Sequence, residues 1–133
     1  MKSPALLRPF FWLVDLGFLV YWLITFFKLI PAEYLYKDYS DPLLTDWNWS
    51  FFPLDIAISL TGLMSLRLQK QKKAPWRLWA LVSLAFTFCS GLQAISFWTL
   101  RNDFDWSWWL PNLFLMLYSA YYMYAFLGAK TAQ

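Results

Sequence analysis

The sequence predicts an all-α fold: an integral membrane four-helix bundle with its N and C termini cytoplasmic. Three observations carry that expectation. Apolar residues make up 60% of the 133-residue chain and charged residues only 14%, more apolar surface than a soluble domain of this size can bury. Four apolar runs each approach the ~20 residues that cross a ~30 Å hydrocarbon layer as a helix. The basic residues gather at alternate connections, as membrane topology requires. A single domain covering residues 1–133 accounts for the length.

Span one covers about residues 9–30 and holds Asp15 and Lys28. Pro31 is expected to stop it, because the residue before a proline avoids helical geometry. Its length, its acid and the lack of a small-residue cleavage pattern argue against a cleaved leader. The connection from Ala32 to Trp49 is long for a helical hairpin. Its Tyr34, Tyr36, Tyr39, Trp47 and Trp49 suit a segment resting on the membrane surface. Span two covers about 50–68, with Ser50 as N-cap, Pro53 in the first turn and Asp55 inside. Span three, about 78–100, carries no charge. Its stripe of Ser83, Thr87, Ser90, Gly91 and Ala94 allows close backbone approach and makes it the expected central helix. Span four covers about 107–128. Pro111 would kink a helix begun at Trp106, so Asp103–Trp109 is expected to lie along the interface and the crossing helix to begin near Leu110. The apolar runs are continuous rather than alternating, which excludes barrel strands.

Charge sets the orientation. Lys2, Arg8, Arg67, Lys70, Lys72, Lys73, Arg77 and Lys130 flank one side of the spans, with no acid among them. The opposite loops hold Lys37 and Arg101 against Glu33, Asp38, Asp41, Asp46, Asp103 and Asp105. Basic loop residues stay cytoplasmic, so the QKQKK turn, Gln69–Lys73, faces inward against anionic lipid headgroups and the acidic loops face out. The net charge of +3 is thus topological and implies no nucleic-acid partner. The chain has no histidine and one cysteine, Cys89. That removes the usual catalytic triads, an internal disulfide and a thiolate metal cluster, and no cofactor is expected. Asp103 and Asp105 offer too few oxygens for a calcium site, and Arg101 beside them competes for both.

The informative residues are the polar ones at membrane depth. Lys28, Asp55, Gln93 and Asn112 fall in the outer half of the four spans, and Ser59 and Ser96 are near enough to join them. An ionised carboxylate at that depth needs a partner, and a Lys28–Asp55 ion pair is expected. Trp98, Trp106, Trp108 and Trp109 stand at the same level. Lys28, Asp55, Gln93, Trp98, Trp109 and Asn112 therefore form a candidate ligand-binding set, an outer-leaflet polar pocket with a tryptophan rim. The plainer alternative is that these groups satisfy one another and lock the bundle. Asp15 lies in the inner half of span one. It is a step in a proton or cation relay with Asp55, the acid of a salt bridge to Arg8, Arg67 or Arg77, or a neutral carboxyl hydrogen-bonded to a neighbour.

The stretches WNWSFFPLD (Trp47–Asp55), FCSGLQAISFW (Phe88–Trp98) and DFDWSWWLPNLFLM (Asp103–Met116) resemble the YvaD-like family of small bacterial membrane proteins. The resemblance implies a multi-pass protein of the bacterial cell membrane. It carries no activity and no catalytic residues. Three functions compete. The residues favour a non-enzymatic protein that binds membrane lipid or a small amphipathic ligand, or that assists a membrane-protein partner. A small transporter or channel subunit would use Asp15 and Asp55. A lipid-modifying enzyme would need Asp55 with Asp103 or Asp105 within reach of one substrate position.

Overall fold

A computed structural model describes residues 4–131, with the side chains of Lys130 and Thr131 left out. Lys2 and the Lys130 side chain, two of the basic flanking groups, therefore lie outside the described residues. Those residues form an all-helical protein with four long helices and no strand. The elements are α1 (Leu7–Phe27), a short 3-10 turn (Ala32–Tyr34), α2 (Pro42–Ser50), α3 (Phe52–Lys70), α4 (Trp76–Leu100) and α5 (Trp106–Thr131). Among the described residues, α1, the stretch Pro42–Lys70 and α4 are long and apolar enough to cross a membrane. Helix α5 is 26 residues long, but Tyr118, Tyr121, Tyr122 and Tyr124 lower its mean hydropathy.

Three of the long helices end in the same way. Lys28, Lys72 and Asn102 adopt left-handed backbone, with φ of 52°, 54° and 54°. Behind each, the next residue's N–H returns to a carbonyl five residues back: Leu29 to Ile24 at 3.1 Å, Lys73 to Leu68 at 3.0 Å and Asp103 to Trp98 at 3.0 Å. This Schellman closure satisfies carbonyls that the helix end leaves open. Helix α1 thus stops at a left-handed Lys28, three residues before Pro31, and not at the proline.

Two further expectations change at α2 and α5. The long connection contains a helix. Asp41 caps α2, accepting from the Leu43 N–H at 2.9 Å, and Pro42 takes the first turn. The chain passes into α3 through Phe51, whose backbone is already helical. Ser50 is therefore no N-cap; its hydroxyl donates back to Trp47 O at 2.6 Å. Helix α5 begins at Trp106 and runs through Pro111. Ser107, whose carbonyl the proline leaves without an N–H, is exposed, so no buried acceptor is stranded.

Helix α3 packs on α1 and α4, and α4 packs on α3 and α5. The small residues of α4 make this possible. Ser83, Thr87, Ser90 and Ala94 are all buried, and a Cβ on Gly91 would stand 2.6 Å from the Asn112 carbonyl oxygen of α5. Hydroxyls tie the helices to one another's backbone. Ser59 donates to Asp15 O at 2.8 Å, Ser83 to Ile58 O at 3.0 Å and Ser65 to Trp76 O at 2.9 Å. At one end, Leu7, Phe11, Leu66, Trp76 and Phe126 join a single apolar cluster. The turn holding Lys70, Lys72 and Lys73 is at this end, called here the basic end. The opposite, acidic end carries α2 and the Asp103–Asp105 connection.

Candidate functional site: a cavity between α1 and α5

Helices α1 and α5 close on each other at the basic end and stay apart toward the acidic end. Large aromatic side chains join them where they meet. Phe10 stacks on Tyr118 with centroids 5.4 Å apart and lies 5.8 Å from Phe114. The Tyr122 hydroxyl donates to Ala5 O at 2.6 Å. Above this seal a cavity of about 460 Å³ opens between the two helices. Exposed Leu13 and Gly17 of α1 line its mouth, facing Phe114 and Trp108 of α5. A Cβ added to Gly17 would meet no atom within 4 Å, so the missing side chain leaves the mouth wide.

The far wall belongs to α3 and α4 and brings Asp55, Ser90, Ala94 and Trp98 to the cavity. Asp55 lies in the first turn of α3, where the helix dipole favours negative charge. It is 3% exposed. Its Oδ2 accepts the Trp22 indole N–H at 2.9 Å and its Oδ1 accepts the Ser90 hydroxyl at 3.4 Å. Trp22 is in turn wedged against Trp49 and Phe52, with centroids at 5.2 and 5.3 Å. The expected Lys28 partner is elsewhere. Lys28 is the exposed capping residue of α1, six residues beyond Trp22. At 1.5 Å per residue that is roughly 9 Å further along the axis. Among the described residues Asp55 has no ion pair; its two partners are neutral donors.

The roof is α2 with the segment before it. Tyr21 of α1 shares its hydroxyl hydrogen between Leu35 O at 3.2 Å and Asn48 Oδ1 at 3.1 Å. Trp47 stacks on Phe97 of α4, with centroids 4.1 Å apart and planes at 18°. Lys37 forms an ion pair with Asp103, stands 3.9 Å from Asp105, and lies 5.5 Å over the Trp98 ring. A backbone N–H from Ser107 at 2.9 Å, then the Ser107 hydroxyl and the Lys37 charge, hold the Asp105 carboxyl below its usual range. The two acids thus serve a lysine of the roof. Among the described residues no third carboxylate joins them. Arg101 lies instead over Phe97, 5.8 Å from the ring.

Of the six residues of the candidate set, the cavity gathers Asp55, Trp98 and Asn112. Asn112 donates its amide to Trp108 O at 2.7 Å. Gln93 and Ser96 are exposed on the outer faces of α4, because the small-residue stripe turns those positions away from the bundle. Trp109 donates its indole N–H to Asp103 O at 2.8 Å and does not line the cavity; its neighbour Trp108 does. That exchange follows from α5 being helical already at Trp106. Sequence reasoning missed Trp22, Tyr21 and Lys37. Trp22 carried a signal, since it lies seven residues from Asp15 on the same helix face. Lys37 carried a weaker one, as a cation among acidic loops.

Asp15 stands apart from the cavity. It is fully buried, and neither carboxyl oxygen has a hydrogen-bond partner. A Cβ on Gly62 of α3 would lie 1.9 Å from its Oδ2. Among the described residues no arginine forms the expected salt bridge with it.

Residues 7–133 match a family described as a family of unknown function (DUF5360). The chain is also 50% identical over 129 residues to "Uncharacterized protein YvaD" of Bacillus subtilis (strain 168), covering 96% of this chain and 97% of the relative. The chain belongs to this family. Family membership therefore extends across the cavity, its roof and its floor, and brings no assigned activity. No solved structure matches the chain.

Proposed function

We propose that the protein is a non-enzymatic, multi-pass membrane protein that holds a small amphipathic molecule or lipid in the α1–α5 cavity. The cavity itself carries this reading: its mouth lies between two helices whose outer faces are apolar, and its far wall holds a hydrogen-bonded carboxylate. Lipid hydrocarbon cannot satisfy Asp55 and Asn112, whereas a headgroup or an enclosed polar ligand can. The same arrangement speaks against the other two functions. Asp55 lines the cavity and Asp15 does not, whereas a transport path through this cavity would use both. Asp103 and Asp105 are engaged by Lys37 in the roof, and neither lines the cavity with Asp55. The orientation we favour puts the basic end in the cytoplasm and opens the cavity to the outer leaflet.

The test uses the protein in phosphatidylcholine nanodiscs with a short alkanol bearing a diazirine. Photolabelling is expected on cavity residues such as Phe114 and Trp98. Gly17→Phe narrows the mouth without disturbing a packed neighbour, and labelling there should fall several-fold. Adducts spread evenly over lipid-facing side chains, unchanged by Gly17→Phe, would sink the proposal.

A further inference from the structure

We infer that the cavity selects a protonated amine joined to a short apolar body, with Asp55 as its counter-charge. This rests on the reading of the cavity as a binding site and adds the class of ligand.

The argument begins with an imbalance of charge. A carboxylate accepts at about four lone-pair positions. Trp22 and Ser90 occupy two of them with neutral donors. A carboxylate at membrane depth calls for a cation, and the chain provides none at this point among its described residues. The nearest candidate from sequence, Lys28, is exposed at the helix end. The one lysine lining the cavity, Lys37, is committed to Asp103 and Asp105. A negative group with spare acceptor capacity therefore faces a cavity whose own cation is neutralised elsewhere.

The walls have the matching character. Tyr21, Trp22, Trp98 and Trp108 all line the cavity, and aromatic faces attract ammonium groups within about 6 Å of the ring centroid. Trp98 already shows this behaviour, with the Lys37 ammonium 5.5 Å over its ring. Leu13, Phe18, Phe114 and Leu115 supply the apolar part nearer the mouth. The polar floor and apolar mouth thus give a ligand one orientation: ammonium inward toward Asp55, hydrocarbon toward the gap between α1 and α5. An anionic headgroup would meet Asp55 as a like charge. A neutral alcohol would fill the space and leave the carboxylate without its counter-ion.

Two sources share the protonated primary amine: a free alkylamine, whose ammonium carries an apolar body directly, and the ethanolamine head of a phospholipid, whose phosphate follows two carbons behind. The experiment measures how n-hexylammonium, n-hexanol and n-hexanoate displace the diazirine alkanol in phosphatidylcholine nanodiscs. Hexylammonium is expected to displace the label at a mole fraction in the lipid at least about tenfold below the other two, since bonds to charged groups are the stronger class. Asp55→Asn keeps an acceptor for Trp22 and removes the charge, and should erase that preference, so that hexylammonium and hexanol displace the label equally well. Asp15→Asn, which removes an acid outside the cavity, should leave it intact. Replacing part of the lipid with phosphatidylethanolamine separates the sources. Competition with hexylammonium supports the lipid head, and its absence supports a free amine. Equal potency of the three competitors, or a preference that survives Asp55→Asn, would overturn the amine inference while cavity labelling leaves the binding proposal standing. Loss of cavity labelling in the unmodified protein would overturn the binding proposal itself.

Discussion

Two buried aspartates divide the chemistry of this bundle. Asp55 has donors, an aromatic wall and a cavity beside it; the Asp15 carboxyl has no hydrogen-bond donor among the described residues and lies against the bare backbone of Gly62. Replacing a buried polar group that has no partner by an apolar one of similar shape is close to neutral or stabilising, whereas stranding a buried donor or acceptor costs about 1–3 kcal/mol. Asp15→Leu is therefore expected to hold or raise the melting temperature in detergent, and a clear fall would reveal a partner for this carboxyl. Trp22→Phe is the opposite case. It leaves Asp55 Oδ2 without its indole donor and should lower stability by about 1–3 kcal/mol, read from a thermal melt. Glycine 91 gives a third contrast. A methyl there meets α5 backbone at 2.6 Å, which no side-chain rotation relieves, and overpacking of this kind costs about 1–3 kcal/mol. Gly91→Ala should destabilise, while Gly17→Ala, facing open space, should raise stability by up to about 1 kcal/mol through helix propensity alone.

At the scale of elements, the sequence revealed the long helices and hid their ends. Apolar run length depends on composition and survives any local detail. A helix end depends on which residue accepts left-handed backbone, and here two lysines and an asparagine do so where glycine is the usual choice. Nothing in the Phe27–Lys28 or Gln71–Lys72 steps announces that geometry. A left-handed L-residue costs roughly 1–2 kcal/mol relative to its ordinary conformation. Lys28→Gly should accordingly stabilise the protein by about 0.5–1 kcal/mol, part of the gain being offset by the freer unfolded chain. An unchanged or lowered melting temperature would argue that the Lys28 side chain contributes more than its backbone costs. Pro111 misled in the reverse direction. A proline inside a helix loses one hydrogen bond and crowds the carbonyl four residues back, and exposure of Ser107 spares the further cost of a buried unpaired acceptor.

For the whole molecule, level along the bundle was legible and direction was not. Span positions put Asp55, Trp98 and Asn112 at one level, and the structure joins them in one cavity. The same reasoning put Gln93 and Lys28 at that level, but rotation about a helix axis and the angle of a helix end decided that both point away. The charge asymmetry has a direct test of its own. In a Cys89→Ser background, Ser40→Cys should react with an impermeant maleimide in intact cells, and Lys73→Cys only after the membrane is opened. The reverse pattern would invert the assigned orientation and place the cavity in the inner leaflet.

The roof is tied down from three directions, by Tyr21 on α1, Phe97 on α4 and the carboxylates that hold Lys37, whereas the gap between α1 and α5 is left wide by Gly17 at its lip. On the binding proposal, traffic runs sideways from the bilayer and not down from the water. The relevant concentration of any occupant is then its mole fraction in the lipid, set by partitioning. A dissociation constant expressed in bulk molarity would drift as the lipid-to-protein ratio changes, and one expressed per lipid would stay constant. Two compounds that fit the cavity equally well would rank by how readily each leaves water for the membrane.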